Sequence, residues 1–130
     1  MESVVMIIRA ACADEMFARL RDVFSGAYQN YLGKHVVGNE IDGHAYIYLQ
    51  DFDLAHFMDD PSAMITPHIE DPLELVIDWS KIDICKKVLL ALADRADVVV
   101  SNDYGTILVG AEFVSRINNK PSWDWTGDLQ

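Results

Sequence analysis

Leu73-Glu74-Leu75-Val76-Ile77-Asp78-Trp79, followed at once by Ser80-Lys81-Ile82-Asp83-Ile84-Cys85-Lys86-Lys87-Val88-Leu89-Leu90-Ala91-Leu92, is the stretch on which the fold turns. In the first seven residues the apolar positions alternate. Leu73, Leu75, Ile77 and Trp79 share one side of an extended chain, and Glu74, Val76 and Asp78 take the other. That period of two predicts a half-buried strand. The period then changes. Ile84, Val88, Ala91 and Leu92 form the stripe of an amphipathic helix, with Ser80 or Asp83 placed to cap it and Asp94–Asp97 to end it.

The same grammar extends in both directions. Downstream, Val98–Val100 reads as a strand, Asn102-Asp103-Tyr104-Gly105 as a turn, and Thr106–Val109 as the antiparallel return. Residues 111–118 add one more short strand or helix, and the aromatic tail Pro121-Ser122-Trp123-Asp124-Trp125 predicts that at least one tryptophan docks on the core. Upstream, Ser3–Arg9 is a Val/Ile-rich strand. In Asp14–Phe24, Met16, Phe17, Leu20, Val23 and Phe24 recur at helical spacing, with early acids suited to the dipole and Gly26 as a stop. Tyr28–Leu32 reads as loop and His35–Val37 as short strand. Asp42-Gly43 is the turn dipeptide favoured where both central residues need positive φ. It introduces His44–Gln50, a strand with Ala45, Ile47 and Leu49 on one face and His44, Tyr46, Tyr48 and Gln50 on the other. The order of elements predicts one α+β domain over residues 1–130, a mainly antiparallel sheet with two helices packed on one face.

Composition sets the limits. A chain of 130 residues, 51% apolar, can bury roughly two-thirds of its unfolded surface in one core. Cys12 and Cys85 lie far apart with no zinc-type spacing, and read as reduced, buried thiols of a cytoplasmic protein without electropositive surroundings. Val4–Ile8 is too short for a signal-peptide core, and nothing approaches the ~20 apolar residues of a membrane span.

Charge is the second strong signal. Between His35 and Ser80 stand ten carboxylates and no lysine or arginine, so most of the formal −11 sits in one third of the chain. Such a balance disfavours nucleic acid and anionic membranes and favours a cationic partner. Residues 51–72 hold three of the four prolines and form a long connection, a kind that in compact domains carries function or stays disordered. Asp51, Asp53, Asp59, Asp60, Glu70 and Asp71 supply its charge, and Tyr46, Tyr48 and Phe57 are the aromatic anchors a protein interface would use.

No catalytic motif or cofactor signature accompanies them. Asp51, Asp53, His56, Asp59 and Asp60 have the donor types of a metal site but lack HxH, HExxH or calcium-loop spacing. A small hydrolase or metal-dependent enzyme built on the His/Asp-rich 51–71 loop is the alternative, and an oligomeric interaction protein, a homodimer through the sheet edge, is a third reading. In its element pattern the chain resembles the small acidic immunity proteins of bacterial polymorphic-toxin and contact-dependent inhibition systems. The resemblance lies in the 73–79 strand, the 84–92 helix, the 98–109 hairpin and the aromatic end. It implies a cytoplasmic protein that neutralises a cognate, basic toxin domain by tight binding, with no cofactor.

Overall fold

The computed structural model describes residues 2–52, 69–102 and 104–125. Strand β1 (Glu2–Arg9) runs through a 3-10 turn (Ala10–Cys12) into helix α1 (Ala13–Val23). Strands β2 (Tyr28–Tyr31), β3 (Lys34–Asn39) and β4 (Gly43–Asp51) follow as a meander. Beyond the 52–71 connection come β5 (Pro72–Trp79), α2 (Ile82–Leu92), β6 (Val99–Ser101), β7 (Ile107–Val109) and α3 (Gly110–Asn119). The strands form one sheet in the order β2-β3-β4-β5-β1-β6-β7, with every pairing antiparallel. The α+β domain with a helical layer on one face is what the pattern of periods predicts.

β5 lies at the centre of this sheet. β5 pairs with β1 over its whole length, from Glu2 opposite Trp79 to Arg9 opposite Pro72. On its other side it pairs with β4, from Ala45 opposite Trp79 to Asp51 opposite Leu73. Val4, Met6 and Ile8, Ile47, and Leu75 and Ile77 pack with Met16 and Leu20 of α1, Val88 and Leu89 of α2 and Phe113 of α3 in a single core. Each such side chain, fully withdrawn from water, contributes about 1.5–3 kcal/mol.

Several local expectations are corrected and others made specific. β5 is not half-buried: Glu74 and Val76, on the side away from the helices, are 5% and 4% exposed. A smaller cluster on that side, Ile7, Val99 and Ile107, is packed by Phe52 and Ile69, the described ends of the long connection. Residues 111–118 belong to a third helix, because Phe113, Val114 and Ile117 share its buried stripe. Its start is wedged against the chain before β6: a Cβ on Gly110 would meet Ala93 O at 2.2 Å, so only glycine fits. Tyr28–Tyr31 is an edge strand rather than loop, paired with β3 from Tyr28 opposite Val37 to Tyr31 opposite Lys34.

The turn of that hairpin is Leu32-Gly33, and both residues have positive φ, 53° and 83°. This is the two-residue geometry expected of Asp42-Gly43. At the latter only Gly43 is left-handed, and Asn39 organises the loop instead, its Oδ1 accepting from the N–H groups of Ile41 and Asp42. Neither Ser80 nor Asp83 caps α2. Lys81 is the N-cap residue with no side-chain cap bond, and Ser80 Oγ instead accepts from His44 N–H and donates to His44 O. Both tail tryptophans dock, where one was required: Trp123 and Trp125 are 6% and 0% exposed.

Candidate functional site

The described carboxylates of the base-free third separate into three groups, one bonded within the molecule and two exposed at opposite ends of the sheet. Glu40 and Asp42 are exposed in the β3–β4 turn at one end of the sheet. Glu74 and Asp78 lie on the helix-free face and are bonded within the molecule. Glu74 Oε2 accepts from Gln50 Nε2 at 2.7 Å, and Asp78 accepts from Ser3 Oγ at 2.5 Å and from Tyr48 OH at 3.1 Å. Asp51, Glu70 and Asp71 are exposed at the opposite end, where β4 stops and β5 begins. None of these three makes an ion pair among the described residues.

Register explains why these three gather. Asp51 faces Leu73 across the β4–β5 ladder, so both mouths of the 52–71 connection open at the same point of the sheet. Asp71 turns the chain into β5 with φ at 50°, a left-handed conformation that costs an L-residue roughly 1–2 kcal/mol. Its carbonyl accepts from Ala10 N–H at 3.0 Å, which ties the corner to the end of β1. Arg9, the nearest base in that ladder, is engaged elsewhere, with Nη2 3.0 Å from Asp97 Oδ2. Asp53, Phe57, Asp59 and Asp60, and with them His56 of the metal alternative, lie outside the described residues. Among the described residues no group of three His, Cys, Asp or Glu side chains is arranged to hold a metal ion.

Tyr46 and Tyr48 project side by side from β4 on the helix-free face, each partly buried. They are not bare anchors. Lys34 Nζ from the neighbouring strand lies 5.7 Å from the Tyr46 ring centre and 5.1 Å from that of Tyr48, and the His44 ring packs edge-on against Tyr46 at 5.3 Å. Burial first, and then the hydrogen bond and charge of Asp78, push the Tyr48 hydroxyl above its ordinary pKa. A partner approaching these rings meets a lysine as well as carboxylates.

Two arrangements join residues that no sequence motif links. Cys12 does have electropositive neighbours: Arg9 Nη2 and Arg95 Nη2 approach its Sγ at 3.3 and 3.4 Å. Both guanidinium groups also hold Asp97, whose carboxyl is lowered to about 2, chiefly by the hydrogen bond from Arg95 and then by Arg9. Cys85 is fully buried, and burial raises its thiol pKa. The second arrangement surrounds His35, which lies on the helical side of the sheet rather than on an acidic surface. Its ring stacks on Phe17 with centroids 3.7 Å apart, and its Nδ1 is bonded to Tyr28 OH. Arg9 stands only three residues from Cys12, but Arg95 is 83 away and leaves no local spacing to read, whereas the aromatic positions 17, 28 and 35 are visible but unconnected.

No protein-family model matches the chain, and neither the curated proteins nor the solved structures contain a significant match. Among the described residues no helix is long and apolar enough to cross a membrane.

Proposed function

We propose that this chain is an immunity-type protein that binds a cognate basic toxin domain stoichiometrically and neutralises it in the bacterial cytoplasm. Asp51, Asp53, Asp59, Asp60, Glu70 and Asp71 supply the steering charge, and Tyr46, Tyr48 and Phe57 the apolar contacts. The observation that carries this reading is the grouping of exposed, unpaired Asp51, Glu70 and Asp71 at the two mouths of a connection whose sequence contains no base. Like charges held together on a rigid sheet end repel one another, and a cationic surface relieves that repulsion. Such charge mainly accelerates encounter and selects the partner, while buried aromatic side chains hold it.

Capture from a bacterial lysate tests the reading, with wild type and the triple variant Asp51→Lys/Glu70→Lys/Asp71→Lys compared at low and moderate salt. The expected result is one basic protein, held by the wild type at low salt, released as salt rises, and not held by the variant. An identical set of proteins on both baits would sink the assignment.

A further inference from the structure

Residues 23–33 form the longest uncharged run of the chain, eleven residues in a molecule of formal charge −11. Six large apolar or aromatic side chains are exposed among the described residues. Three of them, Val23, Tyr31 and Leu32, lie in this run, at 40%, 71% and 92%. Leu32 is held there against two local preferences. It stands in the left-handed region, with φ at 53°, at a turn position that favours asparagine or aspartate, and its side chain gains nothing from burial. Lys34, the first charge after the run, turns its Nζ over the Tyr46 and Tyr48 rings of β4, away from β2.

The run contains β2, an outer strand of the sheet. Edge strands of soluble proteins are commonly guarded by a lysine, a proline or a bulge, and Tyr28-Gln29-Asn30-Tyr31 carries neither a charge nor a proline. The opposite edge, β7, is three residues long and passes directly into α3. Register fixes which backbone groups β2 leaves free. Tyr31 opposite Lys34 closes the two-residue turn, and at the other end Gly38 N–H donates to Ala27 O at 3.0 Å. Hydrogen-bonded pairs alternate along an antiparallel ladder, so Gln29 and Tyr31 turn their N–H and C=O groups to β3, and Tyr28 and Asn30 turn theirs outward. No described residue bonds those outward groups.

We propose that β2 pairs with β2 of a second copy of this chain, antiparallel about a two-fold axis at Gln29, joining two sheets into one. In that register Tyr28 of each copy faces Asn30 of the other, and their outward N–H and C=O groups complete each other's hydrogen bonds. The same register runs Tyr31 and Leu32 of each copy alongside Ala27 and Gly26 of the other, by the end of α1 that carries exposed Val23. Charge and symmetry favour a second copy as the occupant. An edge meeting itself about a two-fold is self-complementary, and two molecules of −11 repel one another least where neither carries a charge. The pairing does not rest on the toxin reading, and salt acts on the two in opposite directions. It screens the repulsion between copies, but it also screens the attraction of a basic partner.

Sedimentation equilibrium of the full chain over a concentration series, at low and moderate salt, tests it. A monomer–dimer equilibrium is expected, with the dimer fraction rising as salt is added. Gln29→Lys sets two like charges opposite each other at the axis and is expected to weaken the dimer about fivefold, as is Gln29→Glu. An equimolar mixture of those two variants is expected to recover it. Leu32→Asn suits the left-handed turn but removes the apolar contact. It is expected to weaken the dimer about tenfold while leaving the monomer's urea midpoint unchanged or raised. Both positions are exposed, and unchanged tryptophan fluorescence confirms the fold of each variant. A monomer at every concentration and salt, a dimer dispersed by salt, or a dimer that both Gln29 variants leave intact would overturn the pairing. So would a mixture of the two that fails to re-associate, and an undiminished dimer in Leu32→Asn would remove Leu32 from the contact.

Discussion

The helical layer closes at one end and stays open at the other. Beneath α3 the tail returns, and Trp125 packs edge-on against Trp79 at 6.1 Å, Phe113 at 5.5 Å and Trp123 at 5.2 Å. Lys86, itself 7% exposed, clamps the tail by donating to Pro121 O at 2.8 Å. Under α1 the aromatic contacts are the Phe17–His35 stack and a tilted Tyr28–His35 contact at 5.7 Å, beside a cleft. Both ends are built from aromatic side chains on the same sheet. What differs is the company they keep: the closed end packs ring on ring, with Lys86 and Arg116 only at its edge, whereas at the open end exposed Arg21 shares the cleft with the rings. Close-packed interiors yield stability, and ligands need a surface that the core has not already filled.

Breaking the closed end carries the largest expected effect. Trp125→Ala removes a side chain with 0% exposure and is expected to cost about 3–5 kcal/mol, read as a fall in the urea midpoint. A loss below about 1 kcal/mol would show that the tail contributes little to the core.

The open end gives a smaller, pH-dependent effect. Burial lowers the His35 pKa from its ordinary 6.5, so the unfolded chain binds this proton more readily than the folded one. Its contribution is therefore complete above pH 6.5 and declines as the pH falls through that value towards the folded-state pKa. Urea melts at pH 7.5 and 5.5 are expected to show a loss on acidification that is smaller in His35→Phe. An identical loss in the variant would assign the acid sensitivity to other groups.

The smallest effect is expected at the rim of the cleft. Arg21→Gln is an exposed change with no ion pair to break, so stability is expected to move by no more than about 0.5 kcal/mol, whereas Lys34→Gln also takes an ammonium from the Tyr46 and Tyr48 rings and is expected to cost about 0.5–1 kcal/mol. A larger loss would make these bases structural. Asp71→Gly relieves the left-handed corner while deleting a partner-facing charge. It is expected to leave the midpoint unchanged or raised and to slow association with the basic partner, and a lowered midpoint would contradict the strain at this corner.

How legible each region was follows from where its signal lies. The 73–92 strand and helix, the 14–24 helix and the 98–109 hairpin repeat their apolar residues at one period over a sufficient length, and each forms in place. β2 escaped because Tyr28-Gln29-Asn30-Tyr31 has no alternation, and its turn puts Leu32, rather than asparagine or aspartate, at positive φ. The third helix had a readable stripe in Phe113, Val114 and Ile117, but it adjoins a β-branched run and spans only ten residues. Two-sided burial of β5 was hidden by Glu74, whose partner Gln50 is 24 positions away. The acidic end was visible as composition but not as place, because only pairing reveals that Asp51 and Asp71 meet while Glu40 and Asp42 point away.

The most direct test of the partner reading is the association rate of the captured basic domain across ionic strength, for wild type and for Asp51→Lys/Glu70→Lys/Asp71→Lys. Steering by this end of the sheet predicts a wild-type rate at low salt at least about tenfold above the variant's, falling steeply as salt screens it, against a flat profile for the variant. Equal rates with the same salt slope in both proteins would contradict the account.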